Sequence, residues 1–275
     1  MSKLLRANLL RLWKSKVFWG CILILAGYEL LTEFTTYRGM VKYNVEITLD
    51  QMVLNYLAMA GIALSVFISL FLGTEYHDGT IRNKIIVGNS RTEVYLAGFI
   101  TSMLGSILTF LLALLPGILA GLPLFGRIQS SPEDFLLAVA GGALLCISYA
   151  SMFNLAGFLI TSKAHGAVVC ILASFALLFA AVYLGNSLSQ PEMIEQLKMA
   201  ADGSQIRELV NNPNYVEGTK RIVYQFLMDW LPSGQSFQIG SMEVLYPWRI
   251  LAYSAVNSGL FGIFGYVLFN RKDMK

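Results

Sequence analysis

Apolar residues along this 275-residue chain gather in long uncharged runs, not in the alternation of a strand or the one-sided stripe of a surface helix. A helix needs roughly 20 residues to cross a hydrocarbon core of about 30 Å. Runs of that order predict spans at about 51–74, 94–122, 135–161, 166–185 and 250–269. A sixth span is expected at about 17–34, although it carries Glu29 and Glu33. A carboxylate at mid-bilayer costs roughly 3 kcal/mol on insertion scales, so Glu29 belongs near the outer interface or against protein. Basic residues before an apolar run also fit a signal peptide, but no small-residue cleavage site follows, and the segment is read as a retained helix.

Two stretches follow a different rhythm. At 3–16, Leu5, Leu9, Leu12 and Trp13 share one helical face and Lys3, Arg6, Arg11 and Lys14 the other. Such a helix either lies flat on an anionic leaflet or is a basic flank that orients the first span. The segment 186–249 is too long for a mere connector. Residues 190–213 are polar, with a short helix-like run, and read as a solvated cap. From 219 to 231, Ile222, Phe226 and Trp230 repeat at helical spacing, Val223, Leu227 and Leu231 form a parallel row, and Pro232 and Gly234 follow. About 13 residues cannot cross a bilayer, so this amphipathic helix rests on the surface or re-enters.

Composition agrees: 56% hydrophobic residues, 13% charged residues and a mean hydropathy of +0.60 are far from a soluble domain, whose charged share is about 25%. The reading is an all-α polytopic membrane protein forming a single membrane domain over 1–275 in the lipid bilayer. Cytoplasmic loops are enriched in Lys and Arg. With both termini cytoplasmic, that side holds Lys3, Arg6, Arg11, Lys14, Lys16, Arg82, Lys84, Arg91, Lys163, Arg271, Lys272 and Lys275, twelve of the 20 basic residues. The two short outer loops keep just Arg38, Lys42 and Arg127. The net charge of +3 therefore reflects topology and gives no sign of a nucleic-acid partner. Cys21, Cys146 and Cys170 lie in apolar spans without metal-ligand spacing and read as small packing residues.

The charged interruption at 75–91 carries the most chemistry. Asp78 or Thr80 is placed to cap a helix, Ile81 and Ile85 fall on one face with Arg82 and Lys84 beside them, and Gly88 ends the run. A short helix held between two spans is a handle through which a soluble partner could move both.

Glu75, Gly79-Thr80, Arg82 and Ser90-Arg91 form an E-x-x-x-G-T-x-R … S-R pattern that resembles the ABC type-2 permeases of bacitracin resistance and lantibiotic immunity. Leu231-Pro232-Ser233-Gly234-Gln235 is similar to that family's outer re-entrant region. The resemblance implies a bacterial plasma-membrane exporter permease with a coupling helix at 79–87. Glu75, Asp78, Gly79, Thr80, Ile81, Arg82, Lys84, Ile85 and Arg91 would form the coupling loop, with Ile81 and Ile85 filling a groove on a separate nucleotide-binding subunit. ATP and Mg²⁺ would sit on that ATPase, since the nearest P-loop-like stretch, Gly121 to Ile128, lacks the phosphate-binding Lys and Ser/Thr. Six spans make half a pathway, so a second copy or a similar permease is expected. The implied cargo is a peptide, an antibiotic or another amphipathic small molecule.

Polar groups in lipid face protein or water, which makes Ser151, Asn154, Asn257 and Glu29 the candidates for a substrate path. Ser148, Ser151 and Asn154 share a helix face, and interhelical hydrogen bonding accounts for them without substrate; Glu29 is read as interfacial in preference to a proton or cation site. Gly117 and Gly121 form a GxxxG pair beside Pro116, which predicts close packing and a bend. His77 and His165 are the two histidines and neither lies in H-E-x-x-H, so no catalytic residue and no metal ligand is assigned. An intramembrane enzyme is a remote reading; a non-transporting anchor or sensor subunit is the nearer rival.

Overall fold

The computed structural model describes residues 1–199, 205–242 and 244–272. Helices make up 79% of it, and six of them are long and apolar enough to cross a membrane. They are α2 (Lys16–Tyr43), α3 (Leu57–His77), α5 (Arg91–Phe125), α6 (Pro132–Leu159), α7 (Lys163–Leu188) and α10 (Pro247–Arg271). Among the described residues the protein is thus an all-helical multi-pass membrane protein by architecture, apart from one small hairpin. Shorter helices accompany the spans: α1 (Ser2–Trp13), α4 (Thr80–Ile86), α8 (Gly218–Trp230) and α9 (Pro232–Gly240).

The helix starts follow local chemistry. Ser15, Ser90, Ser131 and Ser162 stand in extended backbone and accept hydrogen bonds from the N–H groups of Phe18, Glu93, Asp134 and His165, opening α2, α5, α6 and α7. At Ser90 the Glu93 carboxylate returns the bond to complete a capping box. Asn44 closes α2 with a left-handed φ of 53°, a conformation that Asn tolerates better than most residues.

Three boundaries differ from expectation. Residues 51–56 are not helical span but a 3-10 segment, Leu49–Gln51, and turns, so α3 begins at Leu57. Conversely α2 runs on to Tyr43, because no proline stands between Phe34 and Asn44 and a single glycine, Gly39, is tolerated inside a helix. The polar stretch 190–213 holds a two-stranded antiparallel hairpin, β1 (Met193–Met199) with β2 (Gln205–Asn211), in place of the expected helix-like run. Pairing Met193 with Asn211 satisfies the backbone without needing an apolar face.

Pro232 likewise does more than stop α8. It opens α9, whose Pro232, Ser233, Gly234, Gln235, Ser236, Gln238, Ile239 and Gly240 are all buried, packed against α3, α6 and α7. Gly234 is obligatory there, since a Cβ would collide with the Met228 carbonyl oxygen.

The core runs along α3, with Phe67, Ile68, Leu64 and Leu72 fully buried. It continues at one end into Tyr95, Phe158 and Phe269, whose rings lie 4.9 to 5.9 Å apart. Such aromatic packing fastens α5, α6 and α10 together. The three cysteines are free and buried, as packing residues should be.

Candidate functional site at the end that carries both termini

The charged interruption folds as the end of α3, a turn at Asp78 and Gly79, and α4. Gly79 takes φ 65°, the left-handed region, which a residue with a Cβ adopts at a cost, so the Gly is required by the turn itself. Neither Asp78 nor Thr80 caps α4 as expected: Gly79 is its N-cap without a side-chain bond. The Thr80 hydroxyl instead donates to the Glu75 carbonyl oxygen at 2.9 Å and closes the end of α3.

Glu75 is the hub. Its carboxylate is 2% exposed, and Oε1 receives both Arg11 Nη1 and Lys84 Nζ at 2.6 Å. Lys84 Nζ also donates to Asn8 Oδ1 at 3.0 Å. The Arg11 guanidinium lies over the Phe71 ring at 3.8 Å. Burial pushes the Arg11 guanidinium down from its ordinary value, while Glu75 and Asp78 pull it back up. One carboxylate therefore ties α1, α3 and α4 into a single unit, with Leu4, Asn8 and Leu12 of α1 turned inward. Of the face read as apolar, Leu12 is buried and Leu5 and Leu9 are half-buried, but Trp13 is exposed, and Leu4 and Asn8 take the inward positions beside Leu12.

The two chain ends join the same structure. The Met1 ammonium pairs with Glu93 Oε1 at 3.0 Å. Arg91 does not face outward but donates from Nη1 to the carbonyl oxygens of Asn270 at 3.0 Å and Lys272 at 2.6 Å. Lys272 Nζ donates to the Phe158 carbonyl at 2.9 Å and sits 4.4 Å from the centroid of the Tyr76 ring. Burial there pushes the Lys272 ammonium down. Lys275, expected at this end, lies outside the described residues.

The expected docking residues divide sharply on this frame. Ile81 is 1% exposed and Ile85 half-buried, so Ile81 fills the bundle and not a partner's groove. Lys84 is likewise engaged internally. The solvent face of α4 is formed by Arg82 and Asn83 together with Ile86 and Val87, which are 69% and 82% exposed. Two large apolar side chains at the tip of a polar loop are the surface that sequence reasoning misses. The i, i+4 arithmetic that joins Ile81 to Ile85 is correct, but it selects the inward face.

The residues expected to line a path are dispersed. Ser151 donates to its own helix at Ile147, and Asn154 to Ala150, so the interhelical bonding expected of them is replaced by bonding to the preceding turn. Ser148 Oγ and Asn154 Oδ1 have no partner among the described residues. Asn257 Nδ2 donates to the Trp230 carbonyl at 2.8 Å and so closes the end of α8. Beside it, Ser254 donates to Gln235 Oε1 at 2.6 Å, and Gln235 Nε2 to the Asp229 carbonyl at 2.8 Å, a buried polar clasp between α8, α9 and α10. Of the two placements expected for Glu29, at the outer interface or against protein, the structure has the second: it is fully buried on α2, against α5.

Compared with known proteins, the chain matches no protein-family model and no curated protein sequence.

Proposed function

We propose that this chain is the membrane-spanning permease subunit of an ATP-driven exporter of the ABC type-2 kind. ATP hydrolysis would be supplied by a separate nucleotide-binding chain that holds the nucleotide and Mg²⁺. The observation that carries the reading is the tip of α4: Ile86 and Val87 stand exposed beside Arg82 on a seven-residue helix that Glu75, Arg11 and Lys84 brace from behind. An unbraced loop would absorb a push; a braced one passes it to α3 and α5. In this reading the end with both termini is cytoplasmic, in accord with its excess of Lys and Arg. Two copies, or this chain with a similar permease, would face each other across a path for a peptide, an antibiotic or another amphipathic molecule. Motion of two such handles as the ATPases close would exchange inward-open and outward-open packings.

The test is purification of the full chain from its native membrane together with whatever ATPase accompanies it, then reconstitution. Val87→Asp is expected to leave insertion and melting unchanged, since exposed substitutions fall within about 0.5 kcal/mol. It should abolish stimulation of the ATPase by the permease and the transport that depends on it. An ATPase that neither co-purifies nor loses stimulation in this variant refutes the proposal.

A further inference from the structure

Glu29 and Glu33 stand one turn apart on α2, and both are 0% exposed. Of their four carboxyl oxygens, one is bonded among the described residues: Glu29 Oε2 accepts from the Tyr56 N–H at 2.8 Å. Glu29 Oε1 and both oxygens of Glu33 have no hydrogen-bond partner among the described residues. The wall they meet is the GxxxG pair of α5. A Cβ on Gly117 would lie 3.2 Å from Glu29 Oε1, and one on Gly121 2.8 Å from Glu33 Oε1. Both carboxyls are thus laid on helix backbone, in the half of the bundle remote from the chain ends.

The charged and titratable groups around them supply no compensation. On the 3-10 segment, both oxygens of Asp50 are taken by Gln129 and Ser130. The Tyr56 hydroxyl donates to the Phe110 carbonyl oxygen. On α2 itself stand Tyr28, Tyr37 and the exposed Arg38; α5 brings glycine to the contact, with Arg127 beyond its end. No described Lys or Arg pairs with either carboxyl, whereas Glu75 at the other end holds two cations. An isolated ionised carboxylate in an apolar interior is prohibitively costly, and two on adjacent turns repel each other as well. Neutralisation by a bound proton removes both penalties.

We propose that Glu29 and Glu33 form a proton-binding site that fastens α2 to α5. In the packing described here each carboxyl carries its proton. When the proton leaves for water at the remote end, a carboxylate remains that needs water or a cation, and the contact with Gly117 and Gly121 loosens. No electrons move in this step. The inference does not rest on the exporter reading, since it concerns this chain alone.

Infrared difference spectroscopy of the full chain in bilayers tests it directly. At neutral pH a protonated-carboxyl C=O stretch is expected that shifts in D₂O, shrinks on alkalisation, falls by about half in E29Q or E33Q, and vanishes in E29Q/E33Q. The single variants serve if the double variant does not fold. Absence of the band at neutral pH, or its persistence unchanged in the variants, overturns the proposal. Amide exchange in residues 44–56 gives the second readout. At alkaline pH it is expected to be several-fold faster in the native sequence than in E29Q/E33Q, with the two alike at acid pH; equal exchange at both overturns the fastening role.

Discussion

Three glutamates of this bundle, Glu75 near the chain ends and Glu29 with Glu33 at the remote half, are equally hidden from solvent, with exposures of 2%, 0% and 0%. Their surroundings could hardly differ more. Glu75 receives a guanidinium and an ammonium on the same oxygen, while neither oxygen of Glu33 is bonded among the described residues. Burial alone therefore says little about a carboxylate. The cations that share its burial decide whether it acts as a structural anion or as an acid. At Glu75 the pairing joins three helices; at Glu29 and Glu33 the absence of pairing leaves a contact that depends on the proton.

The largest effect is expected where a paired anion is removed. Glu75→Ala strands Lys84, whose side chain is 18% exposed, and Arg11, which is 32% exposed. Breaking a buried pair from one side costs roughly 3 to 5 kcal/mol, and the partial exposure of Arg11 places this case at about 3. Melting of the detergent-solubilised chain checks it. Lys84→Met added to Glu75→Ala should recover part of the loss, as coupled sites do. By contrast Glu29→Gln, an isostere of the protonated acid that still accepts from Tyr56, should cost less than about 1 kcal/mol. A Glu29→Gln loss as large as that of Glu75→Ala would break the contrast between the two ends.

Steric substitutions should come next. Gly121→Ala places a methyl group against Leu49 Cδ1 and 2.8 Å from Glu33 Oε1; Gly117→Ala meets the Glu29 side chain at 3.1 Å. Overpacking typically costs about 1 to 3 kcal/mol, so both should lower the melting temperature, Gly121→Ala more. If Gly117→Ala is the more damaging, the carboxyls do not rest on α5 as described.

Much of this architecture is legible in the amino-acid sequence. Length and hydropathy identify the six spans, because a bilayer demands long uncharged runs, and turn chemistry at Gly79 and Ser90 is local. The GxxxG pair predicts close packing of α5, yet nothing in it names Glu29 and Glu33 as what is packed there, since those partners come from a distant helix, Glu29 against Gly117 and Glu33 against Gly121. Glu75 stands out in the sequence as part of the interruption, but its cations, Arg11 and Lys84, come from different helices, so its inward role is invisible there. The face of α4 is hard to assign for the same reason: periodicity groups Ile81 with Ile85 but cannot say which side the bundle takes. The hairpin at 193–211 escapes because its apolar residues, Met193 and Ile194 adjacent in one strand and Leu209 and Val210 adjacent in the other, keep no strict alternation.

Asp50 provides the smallest and most diagnostic comparison, because it lies at the same end as the unpaired pair and yet is satisfied. It is 6% exposed and accepts from Gln129 N–H at 2.8 Å, from Ser130 N–H at 3.2 Å and from the Ser130 hydroxyl at 2.6 Å. Burial pushes its carboxyl upward, but those three donors outweigh burial and hold it below the usual carboxylate range. A group depressed in this way stabilises the fold above its unfolded value of about 3.9, and the contribution drains away as pH falls through the folded value. Asp50→Asn should therefore melt below the native sequence at neutral pH by the equivalent of about 1 kcal/mol, with the gap closing as the pH drops under about 4. Because the comparison is between two chains at each pH, the titration of every other carboxylate cancels. A gap that stays constant down to that range would mean that the loop at 44–56 is held to residues 129–130 by its shape and not by the Asp50 anion.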